Sequence, residues 1–329
     1  MKIKVSVAQC GTAGYDVDKT LDRMEGYVQE AKAVGSQLVL FPEAFVGGYP
    51  KFESFGAVVG TRSAAGRQTF AAYHKAAITI PGPANTRIED IARRSGVFII
   101  TGLIEKDGGT LYCVVGFYSP TEGLVYKRRK LMPTASEKLI WGFGDGSTIS
   151  AVTHTFPSAA AEVDVGAVDG PAAQAPTLAS NSESSPVVIG SAICWENMMP
   201  LLRQHFWNQG VQIHCTPTVD GRENWQSTIK HLAMEGRCFV LNACQFAQQK
   251  DYPEGHPIEG PVDPEGIMIA GGSVIVSPLG EVLAGPLRGK AGLISAVLDL
   301  DEILGAKLDL DNAGHYTRPD IFKLEVNGK

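Results

Sequence analysis

The sequence predicts an α/β protein built from two mixed β-sheets that pack face to face, with helices on the outside. Short apolar runs, typical of buried strands, alternate along the chain with segments whose apolar residues recur at helical spacing. Connections short enough for hairpins are about as common as connections long enough for crossovers, which favours mixed sheets. About ten strands are predicted, more than one open sheet accommodates comfortably, and this number favours two sheets.

The predicted strands are separated by Gly-containing turns or by helical segments. They cover residues 3–9, 37–43, 97–105, 111–119, 123–130, 187–194, 211–217, 238–246, 272–280 and 292–300. Between the first two strands, apolar residues recur every three or four positions and predict one buried helix face. These residues are Leu21, Met24, Val28 and Ala31. A second helix is predicted to begin near Asn197.

The chain is predicted to form a single domain over residues 1–329, with one irregular surface insertion at 158–186. That segment is rich in Ala, Ser and Pro and contains no Lys, Arg or aromatic residue, so it offers little to bury. A domain linker is the alternative interpretation. It is disfavoured because the strands on both sides are predicted to belong to one sheet system. No internal repeat is found.

Composition and charge exclude several classes of protein. The net charge of −6 makes a basic nucleic-acid-binding surface improbable on electrostatic grounds. No apolar run approaches the roughly 18 residues that a membrane helix requires, and the first residues lack a signal-peptide pattern. We therefore expect a cytoplasmic protein without a nucleic-acid or membrane partner.

The six cysteines are dispersed and include no CxxC pair, which fits neither a zinc site nor a disulfide framework. Five of them lie inside or beside predicted strands and are interpreted as small buried hydrophobes. These five are Cys10, Cys113, Cys215, Cys238 and Cys244. Cys194 differs because it ends a strand where the chain turns into a helix. A helix N-terminus favours the thiolate, so Cys194 is the candidate nucleophile, although a buried structural thiol remains the alternative.

Three charged residues also follow predicted strands and could serve such a nucleophile. Glu43 ends an apolar run among aromatic neighbours, where desolvation would raise its pKa as a general base requires, although a solvated loop carboxylate is the alternative. Lys130 ends another strand and could stabilise developing negative charge. The basic residues before it, 127–129, are typical of a solvated face, and Glu137 taken alone is typical of a surface acid. No histidine has a convincing local signature as the base.

The segments that contain Glu43, Lys130 and Cys194 resemble the Glu–Lys–Cys motifs of the nitrilase superfamily, also called carbon-nitrogen hydrolases. They match these motifs both in amino-acid sequence and in order along the chain. The similar segments are FPEAFVGGYP, RRKLMPTASEKLIWGFGDGS and GSAICWENMMPLLR, and CWEN indicates the true nitrilase branch. The resemblance extends from about residue 3 to 325. Two departures are the insertion at 158–186 and a short C-terminal tail.

The resemblance implies a four-layer αββα sandwich that forms a homodimer or a larger homo-oligomer and uses no cofactor and no metal. It implies that Cys194 is the nucleophile, Glu43 the general base and Lys130 the stabiliser of the transition state. Glu137 matches the second glutamate of the family, which assists by positioning or proton transfer.

The implied activity is hydrolysis of an organic nitrile to the carboxylic acid and ammonia. A cyanide hydratase that stops at the amide is the alternative on the same scaffold. An amidase and a non-catalytic thiol protein are weaker alternatives. Five residues are expected by resemblance to line the substrate cavity, and the aromatic ones favour aryl or arylalkyl nitriles unless they are ordinary core residues. The five are Tyr49, Trp141, Trp195, Thr216 and Pro217.

Overall fold

The computed structural model of the protein describes residues 1–157, 184–258 and 265–328. Most of the predicted insertion at 158–186 therefore lies outside the described residues. Its predicted C-terminal boundary is wrong, because Ser185 and Pro186 already belong to a strand that runs from Ser185 to Ser191. In that strand Pro186 lies opposite Thr155 in an antiparallel pair.

The described strands are numbered in chain order. They are β1 (Lys2–Gln9), β2 (Leu38–Leu40), β3 (Phe98–Asp107), β4 (Thr110–Ser119), β5 (Gly123–Arg129), β6 (Val152–Phe156), β7 (Ser185–Ser191), β8 (Ile213–Thr218), β9 (Phe239–Cys244), β10 (Phe246–Gln248), β11 (Ile267–Val276), β12 (Val282–Arg288) and β13 (Gly292–Asp299). The described helices are α1 (Val17–Ala33), α2 (Ala64–Ala76), α3 (Pro83–Ser95), α4 (Pro200–Asn208), α5 (Glu223–Gly236) and α6 (Glu302–Ala306).

The strands form two mixed sheets. In the described residues, one sheet has the order β13-β1-β2-β3-β4-β5, with β1, β2 and β3 parallel to one another. The other has the order β10-β11-β9-β8-β7-β6, with β7, β8 and β9 parallel and β12 paired to β11. Because β4 is antiparallel to both β3 and β5, the carboxyl ends of β2 and β5 lie at the same edge of the first sheet.

The main core lies between the two sheets. Alternate residues of facing strands, such as Val5 and Ile100 on one sheet and Ile189 and Leu241 on the other, form one buried apolar cluster. This arrangement follows from the period-two alternation of a strand, which puts every second side chain on the same face. The predicted packing of two mixed sheets face to face is confirmed.

Helices cover the outer face of each sheet. The predicted apolar face of α1 is buried together with apolar residues of α3 against the first sheet, while α4 and α5 pack against the second. The side chain of Asp16 caps the first turn of α1 by accepting a hydrogen bond from the backbone N–H of Lys19. The result is the four-layer αββα sandwich that the resemblance implies. None of the described helices is both long and apolar enough to cross a membrane.

Candidate active site

The site lies at the edge of the sandwich where strands from both sheets end. Glu43 follows β2, Lys130 directly follows β5, and Cys194 follows β7 of the second sheet. Glu137 lies in the short 3-10 helix Ala135–Leu139, in the loop that leaves β5. The structure brings these four side chains together, and all four are buried.

Lys130 lies between the two carboxylates. Its Nζ donates hydrogen bonds of 2.7 Å to Oε1 of Glu43 and of 2.7 Å to Oε2 of Glu137. The backbone N–H of Thr134 and the hydroxyl of Tyr49 also donate to Glu137, at 2.6 and 2.9 Å. Burial opposes the charge of Lys130, but the neighbouring acidic groups, Glu43 foremost, together outweigh burial and hold the lysine pKa well above its usual value. Lys130 is therefore a fixed cation in this site.

Glu43 has the properties of a general base. Burial raises its pKa to about 7, while the charge of Lys130 lowers it and that of Glu137 raises it. Oε1 is occupied by Lys130, whereas Oε2 is buried and has no hydrogen-bond partner among the described residues. A carboxylate oxygen with a vacant lone pair and a pKa near neutrality can accept a proton at physiological pH.

The backbone of the turn after β7 holds Cys194 in an unusual conformation. Its φ angle is +51°, in the left-handed region that residues other than glycine rarely adopt. The amide of Asn197 stabilises the turn by donating to the carbonyl oxygens of Ala192 and Cys194, both at 2.8 Å. The hydroxyl of Thr218 donates to the sulfur at 3.1 Å. The turn thus presents the thiol at the end of the sheet, inside the cluster of charged groups.

The thiol of Cys194 is protonated in the resting site. Burial raises its pKa well above the usual value, the negative charge of Glu43 raises it further, and Lys130 and the Thr218 hydroxyl act in the opposite direction. A thiol of this kind needs a base to remove its proton before it can react, and Glu43 is a neighbouring carboxylate whose charge acts on this thiol.

A buried ion pair ties the cysteine turn to the lysine strand. Glu196 forms a two-pronged pair with Arg128, in which Nη1 lies 2.9 Å from Oε1. The same carboxylate accepts the backbone N–H groups of Leu131 and Ile193, at 2.6 and 2.7 Å. The interpretation of residues 127–129 as a solvated face is wrong for Arg128, whose charge is matched inside the protein. Sequence reasoning missed this pair, although both residues lie within two positions of Lys130 and Cys194.

Close packing fixes the loop that carries Glu43. A Cβ atom added to Gly102 of β3 would lie 2.6 Å from the Cα of Glu43, so the approach of the two backbones requires glycine. From the second sheet, the amide of Gln245 donates to the backbone oxygen of Glu43 at 2.7 Å. The loop that carries Glu43 is therefore held by both sheets.

Two of the predicted pocket residues lie against the charged cluster. The ring of Tyr49 contacts that of Trp141 edge-on, with centroids 5.8 Å apart. Nζ of Lys130 lies 5.8 Å from the centroid of Trp141. The indole N–H of Trp141 donates to the hydroxyl of Tyr73 at 3.1 Å, which fixes the orientation of the indole ring. These aromatics form one wall beside the lysine.

Trp195 differs because 41% of it is exposed. Its indole N–H donates to Asp220 at 2.9 Å, and the guanidinium of Arg222 lies 5.2 Å from its ring centroid. The side chain next to the nucleophile is thus held at the surface by a polar contact and a cation.

The structure does not bring Thr216 to the sulfur. Its buried hydroxyl donates to Oδ1 of Asn242 at 3.0 Å, whereas Thr218, two residues further along β8, contacts Cys194. Pro217 lies between them and is buried. The contribution of Thr216 and Pro217 to a substrate cavity stays a prediction.

The predicted buried state of the other five cysteines is confirmed. One of them also lies beside the site: the sulfur of Cys113, on β4, is 3.8 Å from Oε1 of Glu43. Burial holds the pKa of the Cys113 thiol well above its usual value, and the nearby Glu43 carboxylate raises it further. Cys113 is therefore a protonated neighbour of the base.

Comparisons with known proteins agree with this fold. Residues 4–307 match the sequence profile of the family described as carbon-nitrogen hydrolase, and the chain belongs to that family. An amidase from Nesterenkonia sp. has a similar fold, with a TM-score of 0.62 at 17% sequence identity over 93% of this chain and 94% of that chain.

Curated relatives define the branch more closely. An arylacetonitrilase of Trametes versicolor is 53% identical over 98% of this chain and 96% of its own length. A bifunctional nitrilase/nitrile hydratase of Lupinus angustifolius is 45% identical over 98% of this chain and 86% of its own length. These relatives support the true nitrilase branch.

Proposed function

We propose that the protein is a nitrilase that hydrolyses an organic nitrile to the carboxylic acid and ammonia by covalent catalysis at Cys194. The observation that carries the proposal is the buried cluster in which one lysine bridges two carboxylates beside a thiol at a strand end. The near full-length similarity to a curated arylacetonitrilase supports a nitrile as the substrate.

In the first step, Glu43 takes the thiol proton on Oε2 and the sulfur of Cys194 attacks the nitrile carbon. A C–S bond forms, one π bond of the nitrile breaks, and the nitrogen receives the proton that Glu43 took from the thiol, which gives a thioimidate. Negative charge develops on nitrogen as the bond forms. Lys130 and the backbone N–H of Trp195 are the groups proposed to stabilise it.

In the second step, water activated by Glu43 or Glu137 adds to the thioimidate carbon. The tetrahedral species loses ammonia when its C–N bond breaks, and a thioester remains on Cys194. A second water attacks the thioester, its C–S bond breaks, and the carboxylic acid leaves with the thiol restored. The carboxyl group that took a proton from water gives it to the departing nitrogen, while Lys130 stays protonated between the two carboxylates.

The substrate class proposed is aryl or arylalkyl nitriles. The wall formed by Tyr49 and Trp141, with Trp195 beside the nucleophile, offers flat apolar surfaces against which an aromatic ring packs favourably. The name of the Trametes versicolor relative specifies arylacetonitriles and supports the same class.

Release of the amide is the second candidate outcome. If the C–S bond of the tetrahedral species breaks before the C–N bond, the product is an amide and no ammonia forms. The Lupinus angustifolius relative is named for both activities. The ratio of acid to amide product is therefore a quantity to measure for this protein.

The test is a panel of nitriles, including phenylacetonitrile and propionitrile, with measurement of ammonia, acid and amide. We expect acid and ammonia in equal amounts, with phenylacetonitrile turned over faster than propionitrile. Cys194→Ala is the control and should release neither product. Amide without ammonia would favour the hydratase activity, and equal rates on the two nitriles would remove the basis for the aromatic preference.

We also propose that the protein acts in the cytoplasm as a homodimer or larger homo-oligomer. The six cysteines are all free, as expected in a reducing compartment. Exposed apolar side chains such as Leu201 on α4 and Leu308 after α6 offer surfaces for self-association.

A further inference from the structure

Thr218 is the last residue of β8 and is fully buried. Its hydroxyl lies 3.1 Å from the sulfur of Cys194. The backbone N–H of Asp220 donates to the same hydroxyl oxygen at 3.0 Å. A hydroxyl has one proton to give, and because Asp220 occupies a lone pair of the oxygen, that proton is directed at the sulfur.

We propose that Thr218 is a further catalytic residue, whose hydroxyl donates a hydrogen bond to the sulfur of Cys194 and stabilises it as a thiolate. The same bond serves twice: when the sulfur attacks the substrate, and when it leaves at the end of the cycle. The inference rests on the proposed function for these two steps, but the minor fraction of thiolate in equilibrium with the protonated thiol reacts in the free enzyme as well, without any nitrile.

The need for such a donor follows from the surroundings of the sulfur. Burial and the carboxylate of Glu43 both oppose ionisation of the thiol. The positive charge of Lys130 favours the thiolate, but Lys130 hydrogen-bonds Glu43 and Glu137, each at 2.7 Å, and makes no hydrogen bond to the sulfur among the described residues. Thr218 is the one neutral side-chain donor that the described residues place on this atom.

The neighbouring threonine shows what a purely structural hydroxyl looks like here. Thr216 is on the same face of β8 and equally buried, yet its hydroxyl donates to Oδ1 of Asn242 at 3.0 Å, with the backbone oxygen of Leu241 as the other nearby acceptor at 3.3 Å. Both acceptors belong to β9, so this hydroxyl only joins β8 to β9. The hydroxyl of Thr218 instead donates to the sulfur of Cys194, the atom that reacts. For this reason we assign Thr218 a chemical function.

The test measures the reactivity of Cys194 without any nitrile. Alkylation of Cys194 by iodoacetamide is followed by peptide mass analysis across the pH range in the wild type, Thr218→Val and Thr218→Ser. Valine keeps the shape and removes the donor, and serine keeps the donor. A hydrogen bond to a charged group contributes roughly 1.5–3 kcal/mol, so Thr218→Val should slow alkylation at a given pH about 10- to 100-fold. Thr218→Ser should stay within about threefold of the wild type.

The control is Thr20→Val, because Thr20 is another fully buried threonine whose hydroxyl donates to the backbone oxygen of Asp16, far from the sulfur in the first helix. It should leave the alkylation profile unchanged. An unchanged alkylation profile in Thr218→Val would overturn the inference. Equal losses of alkylation rate in Thr218→Val and Thr218→Ser would overturn it as well. Should Thr218→Val fail to fold, Thr218→Ala provides the same comparison with serine.

Nitrile turnover separates this inference from the proposed function. The donor is used in both the attack and the release of the sulfur, so Thr218→Val should lower kcat by a similar factor and leave KM nearly unchanged. A wild type that shows the expected alkylation profile but no nitrile turnover would refute the proposed function and leave the assignment of Thr218 intact. Normal turnover by Thr218→Val would refute the assignment alone.

Discussion

At the scale of single residues, burial decides which groups in the site are charged. It makes the Cys194 thiol hard to ionise, and it raises the pKa of Glu43 to about 7. Lys130 stays protonated because two carboxylates contact it directly. The roles that we propose for Glu43, Lys130 and Cys194 thus follow from the surroundings of each side chain.

The pH dependence of kcat/KM tests the assignment of Glu43. The active base is the ionised carboxylate, so activity is present above its folded-state pKa and is lost as pH falls through it. We therefore expect an acidic limb with its midpoint near 7. Glu43→Gln should lower kcat about 10²- to 10⁴-fold. Glu325→Gln, which changes an exposed carboxylate, serves as the control. An acidic limb that stays near pH 4.5 would contradict a buried base.

The sequence singles out Glu43, Lys130, Glu137 and Cys194 because each stands near a strand end and within a motif of recognisable wording. It does not single out Thr218. A threonine inside an apolar strand is ordinary, and its contact with Cys194 joins positions 24 residues apart in the chain. Residues that act through tertiary contacts carry no local signal.

At the scale of elements, the site lies at the C-terminal ends of strands. Sequence patterns predict the residues at which these strands end poorly. The apolar run at 37–43 predicts a strand up to Glu43, but β2 ends at Leu40. The run at 187–194 likewise extends past the end of β7 at Ser191. In both places the apolar composition continues into the turn because the turn is buried. The backbone leaves the strand at these points, but the side chains that follow remain buried.

Other elements were missed for a related reason. The strand β6, Val152–Phe156, is only five residues long and has apolar residues only at its two ends, and β12 contains a Gly-Pro pair that predicts a turn. Pairing with β7 and β11 makes each of them a strand. Tertiary context overrides local preference in short segments.

Glu196→Gln tests the ion pair that joins the cysteine turn to the end of β5. Removing one partner leaves Arg128 charged and buried, which costs about 3–5 kcal/mol, so the melting temperature should fall clearly. Activity should fall as well, because the carboxylate also holds the backbone of Leu131 and Ile193.

The matched control for Glu196→Gln is Asp320→Asn. Asp320 pairs with Arg318 at the exposed end of the chain, where water screens the interaction. This variant should melt with the wild type. If both variants melt at the same temperature, the buried pair does not stabilise the site as described.

At the scale of the whole molecule, the strands on both sides of residues 158–183 are paired antiparallel. Phe156 lies opposite Ser185, so a short turn can join β6 directly to β7. Loop-closure entropy grows slowly, by about 0.6 kcal/mol per doubling of loop length. Replacing 159–183 by Asn-Gly leaves a loop of about five residues between Phe156 and Ser185, a common hairpin length, and should therefore leave the melting temperature nearly unchanged.

Activity and size are measured on the same shortened protein. Unchanged values would mean that the segment is tolerated and has no further function. Lost activity at the same size would assign it to the substrate entrance, and a changed size would assign it to a subunit contact. A large fall in melting temperature would show that a folded element had been interpreted as a loop.

Self-association is tested by Leu201→Glu. Leu201 is exposed on α4, and Gln204 of the same helix donates to the backbone of Asn312, which brings the segment after α6 alongside. A charge on this apolar surface should reduce the molar mass found by light scattering. Val59→Glu, at another exposed apolar position, should not. A wild type that is already monomeric would contradict the proposed assembly.

The central claim is that Cys194 forms a covalent bond to the substrate carbon. The direct measurement is mass analysis of the protein quenched in acid during turnover of phenylacetonitrile, followed by peptide mapping. We predict a phenylacetyl adduct on the peptide that contains Cys194, its absence from the Cys194→Ala protein, and unmodified peptides for Cys113 and Cys215. An adduct on Cys113, the thiol next to Glu43, or turnover that persists in Cys194→Ala, would contradict the account.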